Sequence, residues 1–452
     1  KHYGLIPALM VELMARLSLE VLGLSLILLL ATWLRFYRLP ELMTFISDQG
    51  RDYLAAKDML LTGQPALVGI PSSVPWLHQG PVFIWLIALA LKLGRFHPIA
   101  PAVLTAVFGV LTVYLAFVLA KKWFNHSTGL IAALIAAASP LMVVHSRLAY
   151  HTSPIPLFTL LYLLALTSQS VGWSFFLAGL LLQFELTTLP LALLAALYLF
   201  KKKQKLFPLS LVFIIPFIPK LIFDLTHGFK QTLGLIAWAG YRFVSFFGFS
   251  GRHTVSPESL IQVSQTIFNY WQKFVCWDQP IIAAGLGLLA LIGVFKNKNR
   301  LLAYFLLINL AGFYLHGAPS EAYFPVLFPV WALLLAWLVN RLKQPALILG
   351  LLILVAYNLA YLIRNDFIPY GPTLSQRLTL ARLIKIQSPS EPFKLEGKNL
   401  DNYRYLLWWL GEPESPEAKS AYMIYEGGDQ DFVAPIGATV YHLPHQKLIK
   451  YD

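Results

Sequence analysis

The sequence predicts an α-helical polytopic membrane protein with about eleven spans. External juxtamembrane helices and a small C-terminal α/β appendage complete the expectation. Three observations predict this class. The 452 residues are 57% hydrophobic and 13% charged, with a mean hydropathy of +0.63, whereas soluble proteins carry roughly a quarter charged residues. Apolar runs of roughly 15 to 21 residues recur between Val21 and Ile363, the length that takes a helix across about 30 Å of hydrocarbon. Finally, the +13 formal charge is clustered at 121–122, 201–205, 296–300 and 341–343, with no acid inside any cluster. Short basic loops of this kind mark the cytoplasmic side, so the charge reports topology rather than nucleic-acid binding.

Residues 21–37 make the first span, which leaves through the aromatic and basic collar 35–39. A polar island at 44–80 follows, carrying an amphipathic helix over 49–61 closed by Gly63, with Asp48 at or beside its N-cap. The run 82–91 is too short to cross and reads as a juxtamembrane helix. Residues 100–120 and 128–146 form a helical hairpin around Lys121 and Lys122, and 154–168 returns. The stretch 171–200 splits into two helices around Glu185, Thr187 and Thr188, because that parity keeps 201–205 with the other basic loops.

The proline-interrupted run 206–223 then delivers Asp224 and His227 to the face of Asp48. An aromatic loop at 228–279, with Trp238, Phe246, Phe247, Phe249 and Arg252, suits the bilayer surface. Spans at 280–295, 301–315, 322–340 and 345–363 finish the membrane domain. Residues 1–363 therefore form the membrane unit, with external loops 39–99 and 225–279, in the cell membrane with the N-terminus cytoplasmic. Residues 364–452 form a small extracytoplasmic domain, with helices expected at 375–386 and 403–410 and strands at 421–425 and 438–443. The lone Cys276 excludes an intrachain disulfide.

With this topology Asp48, Asp52, His78, Arg147, Tyr150, His151, Glu185, Asp224, His227, His316 and Glu321 share the external face, which is a functional-site signal for ionisable groups at span ends. Asp48 is the candidate reacting carboxylate, and equally a favoured N-cap contributing about 1 kcal/mol. Asp52 lies one turn on and either joins it or pairs with Arg51. Arg147, followed by Tyr150 and His151, reads as a phosphate clamp through two parallel charge-assisted bonds, or as an interfacial snorkeller. His78 and Gln79 line a sugar pocket or form an ordinary turn. Glu185 is paired in the bundle or borders a cavity. Asp224 and His227 have helix-face spacing, weak evidence for a metal. The chain has no H-E-x-x-H, C-x-x-C, P-loop or dinucleotide glycine fingerprint. The sequence thus requires no cofactor, and it offers no motif in support of a divalent metal.

Five short elements recur in a telling order: the 35–39 exit of the first span, Asp48 to Asp52 before a helix, the 80–85 entry, the basic hairpin at 121–124, and Ser139, Pro140, Ser146, Arg147, Ala149. That order resembles the GT-C membrane glycosyltransferases, specifically the protein O-mannosyltransferase and aminoarabinose-transferase-like superfamily, glycosyltransferase family 39. Gln49 stands where the family has a glutamate after its aspartate. The resemblance implies an inverting hexosyl or pentosyl transferase that takes a sugar from a polyprenyl-phosphate donor. The acceptor is a protein, lipid or glycan outside the cytoplasm. Phosphate leaves without a general acid, so Asp48 as base plus cationic stabilisation by Arg147, helped by His78 or His151, suffices. The alternatives are a lipid or anion transporter or flippase, and an inactive GT-C-like binding protein; no inverted repeat is evident for the first.

Overall fold

The computed structural model describes the chain apart from residues 1–4, 73–75, 169, 202–206, 247–255, 297–299, 343, 390, 413, 427–437 and 452. Lysines 202, 203 and 205, the 297–299 part of the next basic cluster, Lys343, Phe247, Phe249 and Arg252 therefore lie outside the described residues.

Helix α1 (Leu5–Phe36) is followed by the short α2 (Leu39–Leu42), whose Pro40 suits a first turn that needs no N–H there. Helix α3 (Ser47–Thr62) ends at Gly63, and α4 (Val82–Leu93) buries Phe83, Ile84, Ile87 and Leu91 along one face. The hairpin of α5 (Ala100–Trp123) and α6 (His126–Ala138) turns at Asn125, whose Oδ1 accepts from Thr128 N–H at 2.8 Å.

The expected single helix over 128–146 is two. Pro140 has no N–H to give the carbonyl of Ala136, so the chain breaks at Ser139 and resumes as α7 (Pro140–Ser146), bent by 63°. The guanidinium of Arg35 supplies the missing donors, Nη2 to Ala136 O at 3.1 Å and Nη1 to Ala137 O at 3.3 Å.

Helices α8 (Ile155–Leu166), α9 (Val171–Phe184) and α10 (Leu189–Lys201) follow, the last two separated by extended Glu185 and a 3-10 turn at Leu186–Thr188. The break falls where a charge in mid-helix would have met lipid. Helices α11 (Phe207–Ile214) and α12 (Ile218–Thr226) flank a 3-10 turn containing Pro216.

The region expected as an aromatic loop is helical instead: α13 (Lys230–Phe246) and α14 (Pro257–Val275), the latter capped by Ser256 Oγ accepting from Ser259 N–H at 3.2 Å. Its apolar residues recur at helical spacing, which composition alone conceals. After α14 the axis turns by 103° into α15 (Pro280–Lys296). Then come α16 (Arg300–His316), a 3-10 segment at Glu321–Val326, α17 (Phe328–Leu342) and α18 (Pro345–Arg364). Helix α17 is apolar on every side and buried from Phe328 to Leu338 against α5, α6, α8 and α15, so the membrane-type core is built round it.

Among the described residues, three helices are long and apolar enough to cross a membrane, or up to five if each bent pair is one span. Six more apolar helices have 10–17 residues. The expectation of about eleven spans counted apolar runs, many of which the fold divides or bends.

Helix α19 (Leu374–Gln387), strand β1 (Lys394–Glu396), helix α20 (Asp401–Leu410) and strands β2 (Ala421–Glu426), β3 (Thr439–Leu443) and β4 (Gln446–Tyr451) close the chain. The sheet runs β1-β2-β4-β3, with β1 parallel to β2 and the β3–β4 hairpin antiparallel, Leu443 opposite Gln446. This unit grips the start of α3: Leu374 N–H donates to Met43 O at 2.9 Å and Asn402 Nδ2 to Phe45 O at 3.1 Å. Gly50 permits the contact, since a Cβ there would fall on the backbone of Asn402.

Candidate functional site

The N-cap of α3 is Ile46, not Asp48; Gln49 Oε1 folds back to accept the Ile46 N–H at 2.9 Å. Asp48 is thereby released from capping and sits in the first turn, where a carboxylate suits the helix dipole. Its side chain is half exposed and pairs with Arg51 Nη1 at 3.0 Å. The other edge of the Arg51 guanidinium takes Asp52, Nη2 and Nε lying 3.0 and 3.1 Å from Oδ1. Asp52 is wholly buried, and its Oδ2 has no partner among the described residues. Burial pushes the Asp52 carboxyl up to about 6, against the opposing pull of Arg51 and of His151.

His151 belongs to the second half of the site. Its Nε2 lies 3.3 Å from Glu185 Oε2, and Gln79 Nε2 donates to the same oxygen at 3.2 Å. All three side chains are buried. Glu185 reaches this position because the chain leaves α9 in extended form at φ −156. Gln79 reaches it on a tight hairpin, its N–H donating to Ile70 O at 2.8 Å and its carbonyl accepting from Gly69 N–H at 3.0 Å. The next residue must be glycine, since a Cβ on Gly80 would fall in the Gln183 amide while its N–H donates to Gln183 O at 2.9 Å. Gln79 Oε1 and His151 Nδ1 have no partner among the described residues.

Tyr150 joins the halves. Its ring lies 4.2 Å from that of His151, and its phenol is held well above the usual range by burial, then by the charges of Asp48, Glu321 and Asp52. Glu321, from the turn before α17, thus faces the same space. The result is a half-exposed carboxylate and guanidinium beside a buried wall of acceptors and donors with free valences.

Other sequence candidates lie elsewhere. Arg147 is buried, and its Nη1 donates to Leu34 O, Arg35 O and Tyr37 O at 3.0, 3.2 and 3.0 Å, with Phe367 stacked 4.3 Å beneath. Through Nη1 it caps the last turn of α1, answering orphan carbonyls, while Nη2 has no partner among the described residues. The carboxylate of Asp224 accepts Gln231 N–H at 2.7 Å, Thr232 N–H at 2.9 Å and the Thr232 hydroxyl at 2.6 Å, fastening the start of α13. His227 is exposed and stacks on Phe223 at 3.9 Å, so the two form no pair toward a ligand. His78 turns its ring to Gln231, with Nδ1 3.1 Å from Nε2, and burial followed by Lys220 lowers its pKa. Among the described residues no group of three or more His, Cys, Asp or Glu side chains is arranged to hold a metal.

Arg51 is the candidate site residue that reading the sequence undervalued. Its signal was present in the D-x-x-R-D spacing of 48–52, which puts one cation between two acids on a helix face.

A family model described as dolichyl-phosphate-mannose-protein mannosyltransferase matches residues 78–223, the stretch that supplies Gln79, Tyr150, His151 and Glu185. The fold is similar to that of ArnT from Cupriavidus metallidurans bound to undecaprenyl phosphate, with a TM-score of 0.66 and 12% identity over 95% of this chain and 97% of that one. The chain thus shares the fold of a membrane glycosyltransferase structure and carries the mannosyltransferase family match over about a third of its length. The same ArnT in its apo state aligns with a TM-score of 0.64 and 11% identity, over 96% and 98% of the two chains. A search of curated protein sequences finds no match. In this fold the polar cluster at 48–52, 79, 150–151, 185 and 321 occupies the ends of helices and the turns between them.

Proposed function

We propose that this GT-C protein transfers a hexosyl or pentosyl group from a polyprenyl-phosphate donor to an acceptor at the extracytoplasmic face of the membrane. The observation that carries the reading is Arg51 held between Asp48 and Asp52 beside the Gln79, His151 and Glu185 wall. Asp48 is the base: half exposed, it takes the proton of the acceptor nucleophile as that atom bonds to the anomeric carbon. The bond from the anomeric carbon to phosphate oxygen breaks with its electron pair going to phosphate, on the opposite side, so configuration inverts. The exposed edge of Arg51 meets the charge growing on that phosphate.

Buried Asp52 fixes the guanidinium from behind, while Gln79 Oε1 and His151 Nδ1 offer free valences to sugar hydroxyls. Glu185 orients both donors. The undecaprenyl phosphate bound by ArnT, a protein of similar fold, supports a lipid-phosphate donor. The basic turn at 121–122, at the far end of the α5–α6 hairpin, supports an active face turned away from the cytoplasm. In this reading residues 1–363 are the catalytic unit and 364–452 steady α3 from outside.

The test uses purified protein in detergent with polyprenyl-phosphate sugars and membrane-derived acceptors, and measures polyprenyl phosphate by mass spectrometry. Release that depends on Asp48 is expected. Undiminished release by a folded Asp48→Asn variant removes the base assignment; sugar-lipid movement across liposomes without release points to a transporter instead.

A further inference from the structure

The hairpin that carries Gln79 into the site is gripped from a second direction. Gln231, in the first turn of α13 and only 4% exposed, faces polar atoms of residues 76–78. Its Oε1 accepts from His78 N–H at 2.9 Å, and its Nε2 donates to Trp76 O at 3.2 Å and meets His78 Nδ1 at 3.1 Å. Lys220 of α12 adds a bond from Nζ to His78 O at 2.7 Å. Gln231 is itself anchored, since its N–H donates to Asp224 Oδ1 at 2.7 Å. One peptide unit further on stands Gln79, whose Nε2 reaches Glu185 at 3.2 Å and, through that carboxylate, His151.

We propose that Gln231 is a positioning residue: by holding the backbone at 76–78 it sets where Gln79 presents its amide to Glu185, and hence how the His151 imidazole is aimed. The peptide between His78 and Gln79 is planar and stiff, so a shift of the gripped N–H and carbonyl is passed on to Gln79 with little loss. The remaining contacts of α13 are poorly suited to this task, because Leu233, Ile236 and Phe243 are exposed at 58%, 63% and 68%. The polar first turn is therefore the fixed point through which α12 and α13 act on the site. An ångström of misplacement at a binding wall costs up to about a hundredfold in rate, so a grip of this kind is visible in kinetics.

The inference rests on the sugar-transfer reading, and the experiment separates the two. Gln231→Met keeps the side-chain length and removes every polar contact to the hairpin. Its KM for a polyprenyl-phosphate sugar is expected to rise about tenfold, with kcat within about twofold. Combined with Gln79→Met it should add nothing further, since both act through one contact; losses that multiply overturn the proposal. Hydrogen exchange of residues 69–80 needs no turnover: faster exchange at the Gly69 and Gln79 amides in Gln231→Met supports the grip, and unchanged exchange overturns it. Should the wild type transfer no sugar, the transfer reading fails while hydrogen exchange still decides the grip. If Gln231→Met does not fold, Gln231→Glu, which keeps the acceptor for His78 N–H and loses the donors, replaces it in both measurements.

Discussion

Two regions of this molecule, the end of α1 and the first turns of α3, hold arginine in different ways. Arg35 and Arg147 give their hydrogens to main-chain carbonyls, those of 136 and 137 at the Pro140 break and those of 34, 35 and 37 where α1 stops. Arg51 gives its hydrogens to two carboxylates, one buried and one half exposed. In the first region the cations complete the backbone, and Arg35 Nε and Arg147 Nη2 have no partner among the described residues. In the second, the cation balances two acids, and Asp52 Oδ2 has no partner among the described residues. The two kinds of partner, carboxylates and orphan carbonyls, are therefore what separates the regions, since unanswered polar atoms occur in both.

The comparison is most easily broken at Asp48. Asp48→Asn keeps size and polarity and removes the base, so release of polyprenyl phosphate should fall by about a thousandfold, roughly 4 kcal/mol, with the thermal melting point nearly unchanged. Arg147→Ala should do the reverse. Stranding three carbonyls and the Phe367 ring should cost about 3 kcal/mol, read as a lower melting point in detergent, while the folded fraction keeps the wild-type KM for donor. A raised KM with intact stability in Arg147→Ala would return that residue to the site and dissolve the distinction.

The pH dependence of stability sharpens it further. Asp52 is raised from 3.8 to about 6 by burial. Between those values the folded state binds more protons than the unfolded, so this group's contribution is present below about 4 and lost as pH rises through about 6. Two units correspond to about 3 kcal/mol as an upper bound. Denaturation of Asp52→Asn should lack that part of the slope between pH 4 and 6; an unchanged slope means Asp52 is not held in an ion-disfavouring site. The smallest effect is expected for Glu185→Gln, which keeps an acceptor for Gln79 but loses the charge facing His151. Its kcat/KM should drop about tenfold, roughly 1.4 kcal/mol.

How far the site was legible follows from which interactions are local. Asp48, Arg51 and Asp52 lie within a turn of one helix, so their juxtaposition could be read from spacing. The Glu185 break was legible because a carboxylate in the middle of an apolar run is costly unless the helix opens there. Arg147 was ambiguous because a guanidinium at a span end looks the same in sequence whether phosphate or carbonyl answers it. Asp224 was misread for a related reason, since its partners Gln231 and Thr232 become neighbours only when α13 folds back on α12. Aromatic composition likewise hid the helical spacing of α13 and α14.

Hydropathy, charge placement and short-range spacing were enough to define a helical membrane protein with an acid-rich first loop, because burial of apolar length and i, i+3 geometry are properties of contiguous chain. Which polar groups meet was decided by tertiary structure alone. Gln79, His151 and Glu185 come from three separate segments, and Gly50 receives Asn402 from the far end of the chain. Such contacts depend on where breaks, bends and turns aim each side chain, and no local pattern encodes a distance of 352 residues between two backbones that must touch, Gly50 and Asn402.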